Sequence, residues 1–197
     1  MEKFFQQGQE DQLVVAFHGT GGNEYQLLST IAALYPDASV LSYLGTYGSG
    51  EERRFFAPLV EGKLDRNDFE RRVADFLENE WNDIEKKSKI IFIGYSNGAN
   101  FILGLLEKRP QLADTVILLH PSNFVYQFEA TDVSADIIVT SGAQDRISLP
   151  GEVLALSQQL EQAFPHVHFL LLDGEHTVNH DEIDRLKQYL NNQQSKS

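Results

Sequence analysis

Short apolar runs alternate along this chain with longer stretches in which apolar residues recur every three or four positions. The short runs fall at residues 13–17, 39–43, 90–93, 116–119, 137–141 and 169–172. Most are continuous rather than alternating, which is the pattern of strands covered on both faces. The longer stretches cover residues 24–35, 68–87, 97–109, 150–164 and 181–192. In the first, Leu27, Leu28, Ile31 and Leu34 share a face, and Pro36 follows its end. In the second, Phe69, Val73, Phe76, Leu77 and Ile84 keep helical spacing, and Asn67 with Glu70 makes a capping-box-like start. The third is apolar nearly all round, hence buried, and Pro110 stops it. Pro150 opens the fourth at a first-turn position. The fifth buries Ile183, Leu186 and Leu190, and Asn179 with Glu182 again resembles a capping box. Strand alternating with helix predicts an α/β fold: a mostly parallel sheet of about six to seven strands, with helices on both faces. The 197 residues suit one domain, with residues 191–197 as a flexible tail and no room for a lid domain.

One connection breaks the rhythm. Residues 44–66 show no clear periodicity, and loops that long tend to be functional. This one carries Arg53-Arg54-Phe55-Phe56.

The most informative pentapeptide is Gly94-Tyr95-Ser96-Asn97-Gly98. It joins the apolar run that ends at Ile93 to the apolar helix that follows. A G-x-S-x-G between strand and helix is the context of a nucleophile elbow, where the serine hydroxyl projects from a sharp turn. An ordinary strand-to-helix turn with a capping serine is the plainer alternative.

An activated serine needs a base, and the base needs an orienting carboxylate. In an open α/β sheet the site lies outside the carboxyl ends of the strands, and the chain order is Ser, acid, His. His18 and His120 come too early for that order, and His166 and His168 sit at the wrong end of the last strand. His176 follows that strand on a loop, and His180, at a helix start, is its rival. For the acid, Asp145 follows the run 137–141; Asp132 and Asp136 lie at its amino end, and Asp173 ranks second. The expected trio is Ser96, Asp145 and His176. The oxyanion that forms needs N–H donors. Asn97 follows the serine, and Thr20 lies in the glycine-rich loop His18-Gly19-Thr20-Gly21-Gly22-Asn23 after the first apolar run. A phosphate-cradling loop is disfavoured, because no Gly-Lys-Ser/Thr follows. His18 is expected to brace this loop rather than move protons. His176 and His180 could bind zinc, but the H-E-x-x-H pattern is absent, so no metal or other cofactor is expected.

Composition narrows the partners. The net charge is −13, against the clustered Lys and Arg that a nucleic-acid surface needs. There are no cysteines, which excludes disulfides, thiolate metal sites and a cysteine nucleophile. No window approaches the ~18 apolar residues of a membrane span, and the first residues lack a signal-peptide core. A soluble cytoplasmic protein is the expectation, with a homodimer admitted beside a monomer.

Four elements together resemble the small bacterial carboxylesterases of the phospholipase/carboxylesterase group of α/β-hydrolases. They are His18-Gly19-Thr20-Gly21-Gly22-Asn23-Glu24, Arg54-Phe55-Phe56 with Glu61-Gly62-Lys63-Leu64-Asp65, the pentapeptide extended to Ala99-Asn100, and Glu175-His176. That group is related to acyl-protein thioesterases and is often called dienelactone-hydrolase-like. The resemblance spans nearly the whole chain. It implies an α/β-hydrolase fold, with Ser96 as nucleophile, Asp145 as acid and His176 as base. Two departures stand out. The family usually has Gly-His-x-Leu, where this chain has Glu175-His176-Thr177-Val178; near the acid it often has Asn/Asp-Asp-Pro, where this chain has Gln144-Asp145-Arg146. Arg54, Phe55 and Phe56 read as substrate-binding pocket wall, with Arg54 holding a substrate carboxylate. Equally, the phenylalanines could enter the core while Arg54 pairs with an acid. The expected function is a serine hydrolase cleaving esters of small soluble substrates. A thioesterase or a hydrolase of ring-cleavage products is the enzymatic alternative, and a ligand-binding protein on a hydrolase scaffold the non-enzymatic one.

Overall fold

The computed structural model describes residues 1–194. Seven strands form one sheet in the order β1-β3-β2-β4-β5-β6-β7. They are β1 (Lys3–Gln6), β2 (Gln12–Phe17), β3 (Ser39–Tyr43), β4 (Lys89–Tyr95), β5 (Thr115–Leu119), β6 (Asp136–Gly142) and β7 (His166–Leu172). All neighbouring pairs are parallel except β1, which adds antiparallel to β3 at the edge. The sequence pattern did not reveal β1. Its four residues are largely exposed, so they carry no continuous apolar run.

Among the described residues, five helices cover the sheet: α1 (Leu28–Leu34), α2 (Arg66–Asn79), α3 (Asn97–Lys108), α4 (Pro150–Ala163) and α5 (His180–Gln194). Strand β2 shows how the layers divide. Leu13, Val15 and Phe17 pack with residues of α2, α3 and α4, while Val14 and Ala16 pack with residues of α1 and α5. Both faces are therefore buried, which explains the continuous apolar runs. The split follows from right-handed crossovers. The step from β2 to β3 runs one way along the sheet and puts α1 on one face. The steps onward to β4, β5 and β7 run the other way and put α2, α3 and α4 on the opposite face. The reversal falls between β2 and β4, and an open sheet offers its binding crevice at such a point.

Some boundaries differ from expectation. Helix α2 begins two residues before Asp68, because the Asp65 carboxylate, not Asn67, caps it by accepting the Asp68 N–H. It ends at Asn79 instead of reaching residue 87. A short 3₁₀ turn, Trp81–Asp83, follows and buries Trp81. Helix α1 is shorter than residues 24–35. Helix α5 reaches Gln194, so the expected tail is helical over residues 191–194 and otherwise lies outside the described residues. The connection from β5 to β6 has no helix. Phe124, Tyr126 and Phe128 cover that part of the sheet instead, with Tyr126 fully buried and its hydroxyl donating to Asn100.

Candidate active site

The six parallel strands end on the same edge, and the loops after the other five meet around Ser96, which follows β4. The serine sits between β4 and α3 with φ 50° and ψ −108°. A side chain rarely adopts such a backbone, so the turn is strained and held from outside. Its N–H donates to the Leu119 carbonyl at 2.8 Å, and its carbonyl accepts the Asn100 N–H at 3.0 Å. The flanking glycines are required by close approach. A Cβ on Gly98 would lie 2.0 Å from the Phe17 carbonyl oxygen, and one on Gly94 would lie 2.6 Å from the Gly98 carbonyl carbon.

His176 lies on the loop after β7. Its Nε2 is 2.8 Å from Ser96 Oγ, and its Nδ1 is 2.8 Å from Asp145 Oδ2. Three residues 80 and 31 positions apart in sequence thus form one hydrogen-bonded line. Asp145 is buried after β6, and its Oδ1 accepts the N–H groups of Ile147 and Ser148 at 2.8 and 2.9 Å. Burial opposes the charged carboxylate. The bonds from His176, Ser148 and Ile147 outweigh it and hold the group below the usual carboxylate range. The rivals are placed elsewhere. Asp173 accepts from the Gln144 side chain, and His180 is exposed and faces a separate hollow.

The loop after β2 is braced by His18, as its position suggested. Its Nε2 accepts the Gly45 N–H at 2.9 Å, which leaves Nδ1 to donate to the Gly19 carbonyl at 2.7 Å. Burial leads in lowering its pKa, in keeping with that neutral tautomer. Thr20, on this loop, lines the same cavity as Ser96 and Asn97. The Asn97 N–H occupies the first position of α3, where no intrahelical acceptor exists.

That cavity measures about 370 Å³ and includes Arg54 and Phe56 in its wall. Phe55 does not belong with them. Both phenylalanines are buried in the core, but Phe55 packs against Phe17, His18 and Phe101, away from the cavity lining. The chain bends at these two residues, and the Phe56 ring lies instead against Phe69 and Phe124, where it lines the cavity. The backbone N–H of Phe55 donates to Asn97 Oδ1 at 2.8 Å, which ties this long loop to the serine turn.

His120 and Glu182 were not expected at the site. His120, at the end of β5, is buried, with Nδ1 3.2 Å from Asp145 Oδ2 and Nε2 2.9 Å from Glu182 Oε2. Glu182 is buried in the first turn of α5. Half of the expected capping box forms, since Asn179 Oδ1 accepts the Glu182 N–H at 2.9 Å. The other half does not, because the Glu182 side chain turns inward to the histidine. Its one sequence signal was an acidic residue on the apolar side of α5. Ligand atoms of His120, Asp145 and His176 lie within 4.8 Å of one another. A cation there would have to displace the hydrogen bonds just described.

A parallel sheet with a strained serine turn and a histidine–carboxylate line at its carboxyl edge defines an α/β-hydrolase. No protein-family model matches the chain. It is 28% identical to a carboxylesterase of Bacillus cereus, whose structure superimposes with a TM-score of 0.87 over 98% of this chain and 94% of that one. An Agrobacterium tumefaciens protein of unknown function, Atu2452, is 30% identical with a TM-score of 0.83, covering 96% and 95% of the two chains. A Bacillus subtilis protein, "Putative hydrolase MhqD", is 28% identical over 194 residues, 96% of this chain and 97% of that one. The chain belongs to the small carboxylesterases of the α/β-hydrolase superfamily, the group that shares its fold with acyl-protein thioesterases. It is a hydrolase of the carboxylesterase type.

Proposed function

We propose that the protein cleaves carboxylic esters of small soluble substrates through an acyl-enzyme on Ser96. Ser96 Oγ attacks the ester carbonyl as its proton passes to His176 Nε2. Asp145 holds the imidazole so that Nδ1 keeps its proton, and it stabilises the imidazolium. The N–H groups of Thr20 and Asn97 receive the oxyanion. Collapse expels the alcohol, which takes the proton from Nε2. Water then attacks the acyl group by the same route, releasing the acid and restoring Ser96. The observation that carries this reading is the unbroken Ser96–His176–Asp145 line, with 2.8 Å at each step.

The cavity wall suggests the substrate. Phe56 and Phe124 offer apolar surface for an acyl or ring group. Arg54 lies over the Phe56 ring at 5.7 Å, and its buried Nε has no hydrogen-bond partner. Glu152 shares the cavity, yet no carboxylate among the described residues lies within ion-pair distance of Arg54. A guanidinium left open in this way fits an ester that also carries a carboxylate. Among the described residues no helix is long and apolar enough to cross a membrane.

The test is Ser96→Ala with short-chain p-nitrophenyl esters and a fluorophosphonate label. Turnover should fall by about 10³-fold or more, and the label should add to Ser96 alone. Full turnover in Ser96→Ala would overturn the mechanism. A panel of esters, thioesters and ring-cleavage products then reads the preferred bond.

A further inference from the structure

The hydrolytic line described above uses one edge of Asp145. The same carboxylate has a second histidine on it. Asp145 Oδ2 receives His176 Nδ1 at 2.8 Å and His120 Nδ1 at 3.2 Å, and the far nitrogen of His120 meets Glu182 at 2.9 Å. The side chains of His120, Asp145 and Glu182 are all at most 2% exposed. A buried acid–base pair off the reaction path is costly to keep, and a hydrophobic pair would pack there at lower cost.

We propose that the Glu182–His120 pair is a positioning device that holds a positive charge against Asp145. Through that carboxylate it sets the pH at which Ser96 and His176 become competent. The inference rests on the hydrolase reading of Ser96, and its test includes a readout that does not.

The proton count supports it. An ionised carboxylate only accepts hydrogen bonds. With one carboxylate on each ring nitrogen, His120 can satisfy both only as an imidazolium. Burial works against that charge, but the Glu182 and Asp145 carboxylates outweigh it, so the His120 pKa is raised above its ordinary value. The amino end of α5 favours the Glu182 charge. Glu182 Oε1 is buried without a partner, so Oε2 carries the whole interaction.

The consequence has a definite sign. His120 and His176 share one oxygen, and their ring centroids are 5.5 Å apart. A positive His120 takes up part of the Asp145 charge and disfavours a second positive charge on His176. The acid limb of the reaction is therefore set at lower pH than it would be with an unshared carboxylate. The groups facing His120 are few. They are Asp145 from the loop after β6, His176 from the loop after β7, Glu182 from α5 and the Tyr95 ring from the end of β4, 6.2 Å away. Thr140 Oγ1 accepts its backbone N–H, and Ser148 Oγ donates to its carbonyl, so the main chain is held independently of the ring.

Glu182→Gln keeps the size and an acceptor but removes the charge that sustains the imidazolium. The pH dependence of kcat/KM on a p-nitrophenyl ester, and of fluorophosphonate labelling, should keep its shape while its acid limb moves up by about one pH unit. KM on the plateau should stay unchanged, and Glu182→Asp should restore part of the shift. An unmoved acid limb, with activity lost equally at every pH, would reduce the pair to a structural role and overturn the proposal. The independent readout is the imidazole nitrogen chemical shifts. In the native protein at neutral pH both His120 nitrogens should be protonated, and in Glu182→Gln one should not. A neutral His120 in the native protein would also overturn it, whatever the substrate proves to be. Loss of labelling at Ser96 in the native protein would instead count against the hydrolase reading alone.

Discussion

The hydroxyl of Tyr95 donates to the main-chain carbonyl of His176 at 3.0 Å, so the residue before the serine anchors the loop that carries its base. The Tyr95 ring also lies 5.5 Å from the imidazole. One strand end thus sets the position of both partners in the proton transfer. Burial leads in raising the Tyr95 pKa, with Asp145 and Glu182 adding to it, so the hydroxyl remains a donor across the working pH range. Tyr95→Phe should lower kcat about tenfold, the cost of one hydrogen bond that holds a reacting group, with KM little changed. Steady-state kinetics on a p-nitrophenyl ester would read this, and an unchanged kcat would mean that the loop holds itself.

Asp145→Asn should leave the fold in place, because Oδ1 can still accept from Ile147 and Ser148. It should cost on the order of 10³- to 10⁴-fold in kcat, since an amide no longer fixes the His176 tautomer. Circular dichroism beside the kinetics separates this from unfolding.

Phe55 and Phe56 should part company. Phe55→Ala removes a side chain enclosed by Phe17, His18 and Phe101, and should destabilise the protein by roughly 3–5 kcal/mol in denaturant titration. Phe56→Ala opens the cavity wall beside Ser96 and should also change the relative kcat/KM among acyl groups of different size. Equal effects of both variants on selectivity would contradict the different placement of the two rings.

Arg54→Gln should lower kcat/KM by about 10- to 100-fold for esters bearing a carboxylate, and leave neutral esters of the same size within a few-fold. A uniform loss on both would make Arg54 a structural residue.

Three buried or half-buried carboxylates predict the acid limit of stability. Burial opposes the charge on each of Asp145, Asp68 and Glu80, but hydrogen bonds and cations outweigh it. The partners are His176 and two N–H groups for Asp145, the Ala57 N–H with Arg72 and Arg71 for Asp68, and the amino terminus with Lys3 for Glu80. All three pKa values are lowered on folding. A depressed carboxyl contributes stability that is complete above its unfolded value, here 3.8 or 4.5, and is lost as pH falls through the lower folded value. The denaturation midpoint should therefore decline as pH drops below about 4.5. Asp68→Asn should flatten that decline, and an unchanged slope would show that this cluster contributes nothing.

Much was legible from residue types and their order. Continuous apolar runs meant strands covered on both sides, and the G-x-S-x-G between such a run and an apolar helix located Ser96. The strand-edge rule then separated His176 from His168, and Asp145 from Asp136, because a parallel sheet sends all carboxyl ends to one side. Chain order also set His120 aside. It reaches the site by another route, as a second partner of Asp145.

The sequence by itself determined what is periodic or local: the α/β class, the strand and helix cores, the serine turn and the edge at which its partners lie. Tertiary structure alone decided which of two adjacent phenylalanines faces the cavity, that Asp65 rather than Asn67 caps α2, and that Glu182 turns away from its helix end to reach His120. The reason is physical. Periodicity records which face of an element is buried, but not what lies against it. The contact between His120 and Glu182 joins residues 62 positions apart, from a strand end and a helix start, and exists only once β5 and α5 are placed on the same sheet.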